Sequence, residues 1–184
     1  MSLTLAAIAL LLTEQGHKQY GREAVSQLDH ALQCAHLAEE AGETPATVVA
    51  ALLHDLGHLL APSASVNEAR APRHDDLHQY VALPFLRGVL PDAVLEPIRM
   101  HVDAKRYLCA MEASYWASLS PASQHSLALQ GGPYELVECA KFAKQPFVQE
   151  AIRLRRYDDL AKVPGRATQG LPHYLALMDG VTAS

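Results

Sequence analysis

Apolar positions along this chain recur in blocks of helical length, and no stretch of strand-like alternation stands out. The densest block is Thr44 to Leu60, TPATVVAALLHDLGHLL, whose hydrophobic residues surround the helix axis instead of forming one stripe. A helix that is apolar all round belongs at the centre of a bundle, covered by its neighbours. Thr44 offers a capping hydroxyl and Pro45 takes the first helical position, a strong start signal. Near its other end the block carries His54, Asp55 and His58, with His54 and His58 one turn apart on the same face. Burying such groups costs roughly several kcal/mol unless a metal or a partner compensates. The rest of the chain has to supply that compensation.

The same periodicity predicts a first helix over about 3–14, ended by Gly16, and then a polar loop from His17 to Glu23 (HKQYGRE) that holds Tyr20. A second helix over about 24–41 stops at Gly42 and lines up Gln27, His30, Ala31, Cys34, Ala38 and Ala41 on a buried face. That spacing turns His30 inward and leaves His36 off the stripe. The connection 61–73 (APSASVNEARAPR) is Pro/Ser/Ala-rich and long enough to cover a site. In HDDLHQYVALPFLRGVL, residues His74, His78, Val81, Ala82 and Phe85 share a face, Pro84 is expected to kink the helix and Gly88 to end it. His78 lies deeper in the apolar stripe than His74 and is the preferred inward histidine.

A helix from Pro91 to about Met111 places Val94, Ile98, His101, Val102 and Lys105 on one face. A lone inward lysine ordinarily runs its stem out to solvent, but beside a metal ligand a fixed cation is suited to hold an anion. Ser120-Pro121 opens a further helix closed by Gly131-Gly132, with Gln130 at its end. Helices over 134–144 and 147–161 follow, and the second has Val148, Ala151, Ile152, Arg155 and either Asp158 or Asp159 on its inner face. The tail from Val163 is Gly/Pro-rich with a short helix over 172–179. The expected fold is all-α, a single helical domain over 1–184 with the HD pair on its central buried helix.

Composition narrows the partners. With 184 residues, 49% of them hydrophobic, the chain can bury a sizeable core in one domain. A net charge of -5 gives no basic footprint for nucleic acid, and no Lys/Arg run suggests a membrane surface. The apolar run Leu3 to Leu12 is too short to cross a bilayer and lacks the flanks of a signal peptide, so it reads as a buried N-terminal helix. Cys34, Cys109 and Cys139 form no CxxC pair and imply no disulfide framework, which fits a cytoplasmic protein.

The inward polar residues are then His30, His54, Asp55, His78, His101 and one C-terminal aspartate. Four imidazoles and two carboxylates suit iron, manganese or zinc and exceed the needs of one tetrahedral zinc. Two metals bridged by Asp55 would use them all. His17, His36, His125 and His173 read as surface histidines.

His30, the pair His54-Asp55 and a distal aspartate together resemble the H…HD…D signature of the HD-domain superfamily, a helical metal-binding fold. Adding His78 and His101 matches its dinuclear branch, which contains phosphodiesterases as well as oxygenases. The segments YGREAVSQLDHALQCA, AALLHDLGH, HVDAKRYL, LALQGGP, RLRRYD and VPG are similar, across nearly the whole chain, to the mixed-valent diiron phosphonate oxygenases of the PhnZ type. That resemblance selects His78 over His74 and Asp158 over Asp159. It implies an Fe(II)/Fe(III) pair, with one iron on His30, His54, Asp55 and Asp158 and the other on Asp55, His78 and His101. It makes Tyr20 and Glu23 active-site residues, Tyr20 as a removable iron ligand and Glu23 as the carboxylate for the substrate's cationic nitrogen. His58, Lys105 and Arg155 would hold the phosphonate, with hydrogen bonds from Ser123 and Gln130.

The implied reaction is an O2-dependent cleavage of the carbon-phosphorus bond of 1-hydroxy-2-aminoethylphosphonate or its N-trimethylated analogue, giving phosphate with glycine or glycine betaine. The partner is thus a small organophosphonate. Elementary chemistry agrees, since a dianion needs fixed cations and an ammonium needs a carboxylate. A quaternary ammonium prefers aromatic faces, for which Tyr20, Tyr107, Tyr115 and Trp116 are available. The main rival is a metal-dependent phosphohydrolase of a nucleotide or phosphodiester, using zinc, manganese or magnesium without redox chemistry. A regulatory HD module is disfavoured by the complete ligand set, and His58 could instead cap its helix end, where a cation is favoured.

Overall fold

The computed structural model describes residues 3–21, 23–60 and 77–182. In chain order the helices are α1 (Leu5–Gln15), α2 (Gln27–Glu40), α3 (Pro45–Leu53), α4 (Leu56–Leu60), α5 (His78–Val81), α6 (Leu83–Leu86), α7 (Asp92–Met111), α8 (Tyr115–Ser118), α9 (Pro121–Leu129), α10 (Leu136–Phe142), α11 (Val148–Leu160) and α12 (Leu171–Gly180). No strand forms among the described residues, where only isolated bridges pair Gln19 with Ser26 and Arg87 with Leu90. The fold is all-α.

The apolar helix α3 is central, as its unstriped pattern predicts. Thr44 caps it, and every residue from Thr47 to Leu53 is buried. It packs against α2, α7, α11 and α12, and α7 packs most extensively against α11. Around α3 runs the main core, which gathers Ile8, Ala35, Leu86, Ile98, Leu154 and Tyr174 from six other helices.

Several expectations need correction. The helix expected over 44–60 is two: α3 closes at Leu53, His54 and Asp55 form a turn, and α4 resumes at Leu56. The His54 ring takes the Ala51 carbonyl with Nδ1 at 2.9 Å, and His58 N bonds Asp55 O at 3.0 Å, tightening the chain. Gly57 then lies against the backbone of His78, where a Cβ would meet the carbonyl oxygen at 2.1 Å. The second helix starts at Gln27, not Ala24, because Ser26 and Asp29 form a reciprocal capping box. Ala41 is exposed beyond its end and Gln27 is only half-buried.

The first helix is a peripheral one, with Ile8 and Leu12 buried but Leu10 56% exposed, so an apolar composition did not mean burial. Instead of one helix kinked at Pro84, the segment breaks at Ala82 into α5 and α6, and Phe85 turns partly to solvent. Gly88 sits in the left-handed region at φ 86°, where the chain leaves that segment. Helix α8 lies where no element was expected. The 61–73 connection and His74 lie outside the described residues. No helix among the described residues is long and apolar enough to cross a membrane.

Gly57→Ala should lower stability by roughly 1–3 kcal/mol in a chemical denaturation series, because its Cβ meets backbone that cannot yield cheaply. Gly180→Ala, with open space around the added carbon, should change stability by less than about 1 kcal/mol.

Candidate metal centre

Five elements deliver their polar side chains to one buried point. His30 comes from α2, His54 and Asp55 from the turn after α3, His78 from the first position of α5, His101 from the middle of α7 and Asp158 from the last turns of α11. All are buried, with exposures of 0% for His54, 1% for His30 and His101, 2% for Asp158 and 7% for Asp55 and His78. Backbone carbonyls orient three of the rings: His30 Nδ1 lies 2.8 Å from Ala161 O, His54 Nδ1 2.9 Å from Ala51 O and His101 Nδ1 2.7 Å from Ile98 O. A carbonyl only accepts, so each Nδ1 donates, and in its neutral form each ring turns an Nε2 lone pair to the centre.

The Nε2 atoms of these rings and of His78 converge. His30 Nε2 and His54 Nε2 are 3.4 Å apart, and His78 Nε2 and His101 Nε2 are 3.0 Å apart. Asp55 divides its carboxylate between the two pairs. Its Oδ2 lies 3.7 Å from His30 Nε2 and 3.4 Å from His54 Nε2, while Oδ1 lies 3.2 Å from His78 Nε2 and 3.6 Å from His101 Nε2. Asp158 belongs to the first pair, with Oδ1 3.4 Å from His30 Nε2 and Oδ2 3.9 Å from His54 Nε2.

Electrostatics sharpens this picture. Burial opposes ionisation of Asp55, yet His54, then His78 and His58, hold its carboxyl well below the usual range. Asp158 is likewise held low against burial, by Arg155 and Lys162 first. His54 is raised by Asp55 and Asp158 although burial works against it, and burial together with His54 and His78 pushes His101 well down. Asp55 Oδ2 and Asp158 Oδ1 are nevertheless buried without a hydrogen-bond partner. Converging imidazole lone pairs and orphaned carboxylate oxygens are a donor set that fits cations, and the division of Asp55 makes room for two.

Around this point lie further groups. The Tyr20 ring stacks on His30 at 3.9 Å and 12°, and burial, then the charges of Asp158 and Asp55, push its hydroxyl well above the usual tyrosine value. His58 is less buried, stacked on His78 at 4.1 Å with Nε2 3.9 Å from Asp55 Oδ1. Cys34 Sγ approaches His30 Nε2 at 3.6 Å, and burial keeps this thiol protonated.

One flank is cationic. Lys105, 2% exposed, donates to Ser126 Oγ at 2.7 Å, and burial, then Arg155, lowers its ammonium to about 7. Arg155 Nη1 pairs with Asp158 Oδ2 at 2.6 Å, and the guanidinium also binds Asp159. Lys162 lies 3.1 Å from Ser123 Oγ, 3.7 Å from Asp158 Oδ1 and 3.9 Å from Glu23 Oε1, and Ser120 Oγ donates to Glu23 Oε1 at 2.6 Å. Asp158, Asp159 and Glu23 offset part of this charge, and the flank as a whole can take an anion. Gln130 closes α9, and its amide oxygen is buried without a partner.

Sequence reasoning missed Lys162 and Ser126, and it named Tyr115 only as an available aromatic ring and Asp159 only as the alternative to Asp158. Lys162 was discoverable: it stands four residues after Asp158, hence on the same face, but fell beyond the expected helix end. His17, His125 and His173 are exposed as expected, and His36 is half-buried beside Glu40 at 3.5 Å.

Residues 27–124 match the HD-domain family. The chain is 44% identical over 168 residues to the hydroxymethylphosphonate dioxygenase of Gimesia maris, covering 89% of this chain and 81% of that one. It is 36% identical over 164 residues to the glycine-betaine-forming [1-hydroxy-2-(trimethylamino)ethyl]phosphonate dioxygenase of Leisingera caerulea, again 89% of this chain and 81% of the relative. The matched lengths reach beyond the HD segment and so extend to parts of the chain that the family match leaves out.

Sulfate keeps a fixed charge from pH 6 to 9, so its binding reads the protein's cations alone. Lys105 is charged below about 7 and neutral above it. Calorimetric sulfate affinity should therefore fall as pH rises through that value, and Lys105→Arg, always charged, should flatten the profile.

Proposed function

The chain belongs to the HD-domain family, in the branch that holds phosphonate dioxygenases, and from that premise we propose that it cleaves the carbon-phosphorus bond of a 1-hydroxyphosphonate with O2 at a pair of iron ions. The observation that carries the proposal is the contact between a buried six-donor centre and a buried cation set, made through the Arg155 to Asp158 pair at 2.6 Å. His30, His54, Asp55 and Asp158 would hold one ion and Asp55, His78 and His101 the other. Iron in these positions supplies one-electron chemistry toward O2 when bound.

The protein's own groups do the rest. Lys105 and Arg155, with Lys162 and Ser123 beside them, neutralise and orient the phosphonate dianion, and His58 closes the open side next to His78. Tyr20 covers His30 from the loop and excludes water there. Glu23 faces the substituent on the substrate's second carbon. The reaction balances as hydroxyphosphonate plus O2 giving a carboxylate, hydrogen phosphate and a proton, with one oxygen atom of O2 going to carbon and one to phosphorus.

The rings bear on the amine. Tyr107 packs on Phe142 at 5.1 Å, Tyr115 donates to Asp159, Tyr20 stacks on His30 and Trp116 is 51% exposed. Among the described residues Tyr20, Tyr107 and Tyr115 are held by separate partners and the four rings do not pair with one another, which favours a small or primary-amine substituent over the trimethylated one.

Anaerobic iron loading followed by addition of hydroxymethylphosphonate, 1-hydroxy-2-aminoethylphosphonate or its trimethylated analogue tests the proposal. Phosphate should appear only with O2, in proportion to O2 consumed; equal release without O2 would instead make the protein a hydrolase. In metal analysis, Asp55→Ala should lose both iron equivalents, whereas His78→Ala should lose about one and leave the His30 side filled.

A further inference from the structure

We propose that Asp159 and Tyr115 are positioning residues, which grip the Arg155 guanidinium by its Nε edge and so aim its terminal N–H edge at the substrate's phosphonate oxygens. The inference rests on the phosphonate reading above and adds two residues to the machinery of that site. It starts from an asymmetry between neighbours. Successive helical residues point about 100° apart. Asp158 therefore turns to the imidazoles, while Asp159 turns to α8, where the Tyr115 hydroxyl donates to its Oδ2.

Arg155 lies between the two aspartates and is 4% exposed. Its Nε is 3.2 Å from the Tyr115 hydroxyl and 3.3 Å from Asp159 Oδ2, its Nη2 donates to Asp159 Oδ1, and its Nη1 forms an ion pair with Asp158 Oδ2 at 2.6 Å. A guanidinium carries one N–H on Nε and a pair on each terminal nitrogen. The hydrogen bonds use the Nε–H and one N–H of Nη2, and Asp158 lies against Nη1 as an ion pair. Asp159 thus takes the edge between Nε and Nη2, and the edge between Nη1 and Nη2 is the one whose parallel N–H groups suit two oxygens of a tetrahedral oxyanion.

Asp159 adds no positive charge to an anion site; its carboxylate offsets part of the cation it holds. Its contribution is direction. An arginine side chain is flexible, and an unheld one must be ordered each time an anion binds. The grip itself has a firm base, because Tyr115 is 6% exposed and packs with Leu108, Leu119 and Leu127. Burial raises the Tyr115 hydroxyl far above the tyrosine value, which keeps it a donor to Asp159.

Tyr115→Phe, Asp159→Asn, Arg155→Lys and the double variant Asp159→Asn/Arg155→Lys would be compared as iron-loaded proteins. Two readouts serve: steady-state turnover of 1-hydroxyphosphonate and calorimetric binding of inorganic phosphate. Losing a hydrogen bond to a charged group predicts about a tenfold or greater rise in KM for Asp159→Asn, and several-fold for Tyr115→Phe. The phosphate Kd should rise by a similar factor, with kcat changed less than about threefold and iron content unchanged. In the Arg155→Lys background, Asp159→Asn should add less than about twofold.

The inference is overturned if Asp159→Asn shifts only the melting temperature, leaving KM and phosphate affinity as in the wild type. It is equally overturned if the effect is the same size with and without Arg155. Should Asp159→Asn fail to fold, Tyr115→Phe decides on the same criteria. If the wild type turns over no 1-hydroxyphosphonate, the functional reading fails, while the phosphate affinities still decide the positioning.

Discussion

Asp55 keeps a negative charge deep in the protein, held against burial by His54, then His78 and His58, and its two oxygens are shared out between His30 and His54 on one side and His78 and His101 on the other. Everything else about the architecture accommodates that arrangement. The chain has to bring four rings from four helices to one carboxylate, and each ring has to present Nε2 and not Nδ1. Backbone carbonyls do this for His30, His54 and His101, each of which spends its other nitrogen on a peptide group. The break between α3 and α4 belongs to the same arrangement, since the His54 ring occupies the Ala51 carbonyl at the point where the helix stops.

The site is polarised. Acidic and imidazole groups gather at the end of α3, and the cations gather beside them, Lys105 on α7, Arg155 on α11 and Lys162 just beyond α11. The two halves meet on α11, where Asp158 faces the imidazoles and, one turn earlier, Arg155 holds Asp158 with one nitrogen and Asp159 with another. A dianion bound on the cation side would sit directly against the metal-holding side. This adjacency, together with relatives that act on phosphonates, favours oxidation of a bound phosphonate at the centre.

Much of this was legible from spacing. His30, His101 and Lys105 announced themselves as polar residues on apolar helical faces, and the all-apolar α3 announced a central helix. The misses have physical causes. Ser26 with Asp29 moved the start of α2, because a reciprocal cap outweighs the mere continuation of a pattern. Leu10 stayed in solvent because α1 lies at the edge of the bundle, where its outer side is left uncovered by the described residues. Lys162 was overlooked since it follows the last expected helical residue, and the contacts of Tyr115 since α8 is a single turn whose worth comes entirely from its partners.

The sequence by itself determined which residues could be buried together, because helical period and burial are local properties of the chain. It determined the all-α class, the central helix and a set of inward histidines and aspartates. It left Asp158 and Asp159 equivalent until a family resemblance separated them. The tertiary structure shows where each of them points. That distinction depends on how α11 is rotated against α2 and α8, and such a rotation is set by packing over the whole bundle, not by any stretch of residues read alone.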